Sequence, residues 1–111
     1  MDGQLSLGTF DLMVLLAVMR VGEAAYGVPI SREIEETTGR TIALATLYTT
    51  LARLERNGLV SSQLGEPTAE RGGRAKRYFR ATAKGIREAR DARRAFTSLW
   101  NAIPKLKGEV A

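Results

Sequence analysis

The chain has no cysteine and no histidine among its 111 residues. Without cysteine there is neither a disulfide nor a thiolate metal site. Without histidine the commonest general base and the commonest metal ligand are both missing. No paired acids fall in a cleft-forming pattern, and no phosphate-binding glycine loop is present; Gly72-Gly73 reads as a hairpin turn by its flanks. The longest apolar run, Leu12 to Met19, is eight residues. That is far below the ~20 residues that span a bilayer, and no basic leader of a signal peptide precedes it. These absences argue against an enzyme, a metal or cofactor site and a membrane protein, and the simplest inference is a cytoplasmic location.

What is present is chain for one domain with a single modest core. Its charge is +5, and the distribution says more than the total. Residues 1–40 hold three basic and six acidic groups, and residues 41–70 hold two and three. Residues 71–111 hold twelve basic and three acidic groups, so the excess comes from the last third. Clustered basic residues and a pI near 10.1 suggest a polyanionic partner, most often nucleic acid. Beyond residue 85 a solvated Arg-rich helix explains the charge equally well.

The organising stretch is Ile42 to Leu59. Leu44, Leu47, Leu51 and Leu54 recur at steps of three, four and three, which places them on one stripe of a helix. The other faces carry Thr46, Thr49, Thr50 and Arg53. Asn57-Gly58 ends the helix, because Gly takes the left-handed conformation of a helix end without steric cost. Upstream, Leu7 to Val21 reads as a buried helix, with Phe10, Met13, Leu16 and Ala17 on one face and Leu12, Leu15 and Met19 beside it. Tyr26-Gly27-Val28-Pro29 opens a second helix that turns Ile30 and Ile34 inward and closes at Thr37-Thr38-Gly39. Pro fits its first turn, where the missing N–H has no partner anyway. Three helices in this order, the last two joined through a Gly-containing turn, form a helix-turn-helix.

After Gly58 the period changes. Residues 59–64 and 74–81 read as strands around the Gly-rich turn EPTAERGG, a β-hairpin that must lie against the helices to be stable. Leu64, Tyr78 and Phe79 are its available anchors. Thr82 is a plausible N-cap of a last helix. That helix has an apolar stripe of Ile86, Ala89, Ala92, Phe96, Leu99 or Trp100, and Ile103. The fold expected is mainly α with a small β-hairpin (α+β): a winged helix-turn-helix plus a long C-terminal dimerisation helix. Its division is a DNA-binding unit at residues 5–81, the helix at 82–104 and a flexible tail at 105–111.

These residues carry a resemblance. Over roughly residues 5–103 the chain resembles the PadR family of bacterial transcriptional regulators. The matching pieces are Leu7-Gly8-Thr9-Phe10, Tyr26-Gly27, Thr46-Leu47-Tyr48, Leu51, Arg53-Leu54-Glu55 and Asn57-Gly58-Leu59-Val60. They continue through Gly72-Gly73-Arg74, Lys76, Tyr78-Phe79 and Thr82-Ala83-Lys84-Gly85. Where many relatives have Ser or Pro-Gly, this chain has Ala43-Leu44-Ala45, so capping of the third helix falls to Thr41 or is weak. A single C-terminal helix resembles the short class of the family. The resemblance implies a homodimer on double-stranded DNA, a repressor, with the third helix in the major groove and the basic wing on the backbone or minor groove.

Hydroxyls on a rigid helix suit base edges and phosphates, and Lys and Arg on a hairpin suit phosphates. The expected DNA-binding residues are therefore Thr46, Tyr48, Thr49 and Arg53 in the third helix and Arg74, Lys76 and Arg77 in the wing. Tyr48 lies beside the leucine stripe, and packing and contact are both open to it. Phe96, Leu99, Trp100 and Ile103 are the expected dimer residues, because exposed they would form an apolar patch of the kind that marks an interface. The resemblance further implies that Trp100 lines a site for a small planar aromatic effector between subunits; a purely structural anchor is the other reading. The alternative function is a winged-helix protein-interaction module without its own operator, whose wing is merely solvated. A salt titration of DNA binding separates the two.

Overall fold

A computed structural model describes residues 7–66 and 75–106. The elements are α1 (Thr9–Val21), α2 (Gly27–Thr38), α3 (Leu44–Arg56), β1 (Val60–Leu64), β2 (Arg77–Ala81) and α4 (Ala83–Asn101). Short 3-10 turns follow α1 at Gly22–Ala24 and α4 at Pro104–Leu106. Residues 105 and 106, expected in the tail, close that second turn, and 107–111 lie outside the described residues.

The core forms where α1, α2 and α3 meet. Val14, Leu15, Ala17 and Val18 of α1 pack with Ile30 and Ile34 of α2 and Leu47, Leu51 and Leu54 of α3. The buried face of α1 is thus rotated from the expected one. Val14 and Val18 lead it, while Leu16 is exposed and Phe10 and Met13 lie only at its margin. In an almost uniformly apolar helix the periodicity does not single out a face; the packed neighbours do. Leu44 is likewise exposed, because it opens α3 before that helix reaches the core. Thr50 is buried instead, its hydroxyl satisfied by donating to the Thr46 carbonyl at 3.0 Å.

Helix ends follow local chemistry. Gly39 and Gly58 adopt φ of 77° and 78°. After α3 the Leu59 N–H donates to Leu54 O and the Gly58 N–H to Glu55 O, closing the turn with Leu54 and Leu59 both buried. This is the paired-bond helix stop that glycine permits, with its usual apolar contact. The start of α3 is weak, since Ala43 stands at the cap with no side-chain bond. Thr41 does not substitute, its hydroxyl donating to Glu35 instead.

β1 and β2 pair antiparallel, with Val60 opposite Ala81 and Leu64 opposite Arg77. The hairpin is pinned by Phe79, whose side chain is buried and whose N–H donates to Ala25 O at 2.8 Å. Tyr78 anchors it too, edge-on to Tyr26 at 5.6 Å between ring centroids. Leu64, the third expected anchor, is exposed at the far end of β1. Thr82 caps α4 as expected, accepting from the Gly85 N–H at 3.0 Å and donating to Gly58 O at 2.6 Å. Lys84 Nζ donates to Asn57 O at 3.0 Å, so α4 begins on the turn that ends α3. Among the described residues no helix is long and apolar enough to cross a membrane.

Candidate nucleic-acid interface

With Leu47, Leu51 and Leu54 turned inward, α3 presents Ala45, Thr46, Tyr48, Thr49 and Ala52 to solvent. Thr46 and Thr49 stand one turn apart, on the same side by helical spacing. The Thr49 hydroxyl donates to Ala45 O at 3.0 Å, a local bond a rotor can leave for another acceptor. Tyr48 is 45% exposed, yet its hydroxyl lies against Gly27 at the start of α2, where any Cβ would overlap it. Packing and exposure thus share this side chain, and Gly27 is the residue that makes room for it.

Arg53, expected among the DNA contacts, has a partner within its own chain. Its Nε and Nη2 donate to the two carboxylate oxygens of Asp11 on α1, at 2.9 and 2.7 Å. The Asp11 hydrogen bonds, and then its charge, hold the guanidinium protonated well beyond its already basic range.

In the wing, Lys76 and Arg77 have partners of their own. Lys76 Nζ sits 4.3 Å from the centroid of the Tyr26 ring, a cation–π contact. Arg77 Nη1 donates to Ser62 Oγ at 3.0 Å, and Ser62 Oγ donates to Glu55 Oε2 at 2.8 Å. That chain ties the return strand to the last turn of α3. Arg71 and Arg74 lie outside the described residues.

At the other end, Phe96, Leu99, Trp100 and Ile103 are 49, 67, 39 and 42% exposed, all on the distal part of α4 or just past its end. Among the described residues no cluster of acids could hold a metal ion.

Sequence reasoning missed Asp11, Tyr26 and Ser62. Asp11 and Arg53 are 42 positions apart, and nothing local joins them. Tyr26 had a signal, as the aromatic just before a helix start and the natural neighbour of any hairpin folded onto that start.

The model of the transcriptional regulator PadR-like family matches residues 15–91. No curated protein matches the chain. Among solved structures, a transcriptional regulator from Clostridium thermocellum is 30% identical, over 87% of this chain and 88% of that one, with a TM-score of 0.70. A PadR family transcriptional regulator from Eggerthella lenta is 26% identical, covering 88% of this chain and 83% of that one, with a TM-score of 0.69. A PadR family transcription regulator from Clostridium difficile shares the fold at 18% identity, with 91% and 100% covered and a TM-score of 0.72. The family match runs from the core of α1 through the hairpin into α4, and with these neighbours it places the winged helix-turn-helix described above: the chain belongs to the PadR-like family of transcriptional regulators.

Proposed function

We propose that the protein is a sequence-specific DNA-binding repressor that acts as a homodimer. Residues 5–81 read the DNA, and the helix at 82–104 joins two copies. One observation carries the DNA reading. α3 buries Leu47, Leu51 and Leu54 inside its own chain while Thr46 and Thr49 stay at the surface, beside a basic hairpin tied to its last turn. A helix so anchored offers hydroxyls to base edges, and the hairpin offers Lys76, Arg77 and Arg74 to phosphates. Tyr48, half-exposed over Gly27, is the fourth contact we assign.

The dimer reading rests on the distal α4 residues and on α1. Leu16 is exposed on the wall of a groove of about 340 Å³, whose apolar side is Met13, Leu16, Ala17 and Ile34 and whose polar side is Arg20, Glu33, Thr37 and Thr38. A two-fold seam covers both surfaces at once. Trp100 falls within that seam, and two indoles across a two-fold offer broad stacking faces to a planar aromatic effector. Saturable quenching of the single tryptophan by planar aromatic cations, with release of DNA, supports that role; no quenching leaves Trp100 an anchor.

The function is tested by selecting bound fragments from genomic DNA. The expected result is an inverted repeat whose half-sites lie about one helical turn apart. No enriched sequence, with binding that barely responds to salt, favours the protein-interaction module instead.

A further inference from the structure

We propose that Arg53 is a positioning residue of the DNA-reading helix, acting through Asp11, and not itself a DNA contact. The inference rests on the DNA-binding reading above and deepens it. Nε and Nη2 of the guanidinium donate side by side to one carboxylate, at 2.9 and 2.7 Å. The Asp11 side chain is only 14% exposed and the Arg53 side chain 40%. A bidentate pair fixes orientation as well as distance, which a single point charge does not.

The place of the pair explains why orientation matters here. Burying leucines is non-directional: it turns one side of α3 to the core but sets the roll about the helix axis without a directional bond. Arg53 lies at the C-terminal end of α3, and Asp11 lies in the first turn of α1. Each therefore also suits the dipole of its own helix. Arg53 Nη2 further approaches Thr50 Oγ1 at 3.5 Å, and that buried hydroxyl donates to Thr46 O. A continuous polar path thus runs from α1 through Arg53 and Thr50 to the backbone that carries Thr46. It fixes the roll of the reading face and neutralises a charge that would otherwise attract any phosphate.

The test uses the full-length protein, an operator fragment recovered by selection, and a scrambled duplex of equal length. Binding of both duplexes is followed by fluorescence anisotropy across a salt series. Arg53→Ala and Asp11→Asn are each expected to lower the preference for operator over scrambled DNA by about tenfold, as coupling through a contact network typically does. The double variant is expected to be no worse than either single one, since both remove the same pair. The salt slope of Arg53→Ala is expected to match wild type. Arg53→Lys keeps the charge and loses the fork, and is expected to behave as Arg53→Ala; it carries the comparison should Arg53→Ala fail to fold. The inference is overturned if Arg53→Ala flattens the slope by about 0.9, the value of one neutralised phosphate, while Asp11→Asn leaves the preference intact, or if Arg53→Lys keeps full preference. A wild type that retains no fragment overturns the DNA reading, and this inference with it.

Discussion

The two halves of α4 present different residues along one stripe. Near its start Gly85, Ala89 and Ala92 are small and buried, while Ile86, expected on the same stripe, is turned off it and exposed. Towards its end Phe96, Leu99, Trp100 and Ile103 are large and exposed. The first half rests on its own chain, with Thr82 and Lys84 bonded to the turn after α3. There small side chains let two backbones approach, and Gly85 leaves room for the Leu59 carbonyl alone. The second half has bulk and, among the described residues, stays roughly half exposed. Covering a large apolar side chain fully contributes about 1.5–3 kcal/mol, so the uncovered half of each is worth roughly 1 kcal/mol. Doubled across a two-fold, four such residues give roughly 8 kcal/mol, within the range of about 4–15 kcal/mol that association costs. On the proposed reading, the small residues seat α4 on its own chain and the large distal ones meet a second copy.

The sharpest way to break the first half is Gly85→Ala. A Cβ there would overlap the Leu59 carbonyl oxygen, a backbone atom that has no rotamer to escape into. The expected loss is roughly 3 kcal/mol, or a melting temperature lower by roughly 10–20 °C, read by circular dichroism. An unchanged melting temperature would show that α4 is not seated on that turn. Leu99→Glu should instead spare the fold and break the second half. Placing a charge in an apolar seam is expected to weaken self-association by about 100-fold with the helical signal intact, as measured by sedimentation velocity.

Much of this division was legible in the sequence. The order of elements, the Asn57-Gly58 stop, the Thr82 cap and the burial of Leu47, Leu51 and Leu54 all follow from local rules about spacing and turn chemistry. Packing decided the rest. The face of α1 that is buried, the burial of Thr50 and the exposure of Leu44 and Leu64 depend on neighbours far away in the chain. The Arg53–Asp11 pair was hidden for the same reason: the partner stands on another helix, and an arginine beside threonines reads the same in sequence whether it meets DNA or an aspartate. Gly27 gave no hint of its purpose until Tyr48 was seen lying over it.

Smaller effects sharpen the contrast between the surface of α3 and the hairpin and the distal part of α4. Replacing Lys76 and Arg77 with Ala should weaken binding to all sequences alike and flatten the salt dependence by about 0.9 for each phosphate left without its cation. Self-association should not change, because neither residue lies on α4. An unchanged slope would make the wing a structural prop, held by the Tyr26 ring and Ser62. Thr46→Ala or Thr49→Ala should have the least effect on the fold, within about 0.5 kcal/mol, since both side chains are exposed. Each should still relax sequence preference at one base pair by about 1 kcal/mol, measured by competition among single-base operator variants. A large fall in melting temperature for either would place the hydroxyls on the wrong face.

The central claim is that the uncovered half of α4 makes the DNA-reading unit a pair of chains. Its most direct test is the stoichiometry of the protein on a single selected operator duplex, by sedimentation velocity at saturation, for wild type and Leu99→Glu. Two wild-type chains per duplex are expected, with the variant binding far more weakly at the same concentration. One chain per duplex, bound with equal affinity by wild type and Leu99→Glu, would contradict it.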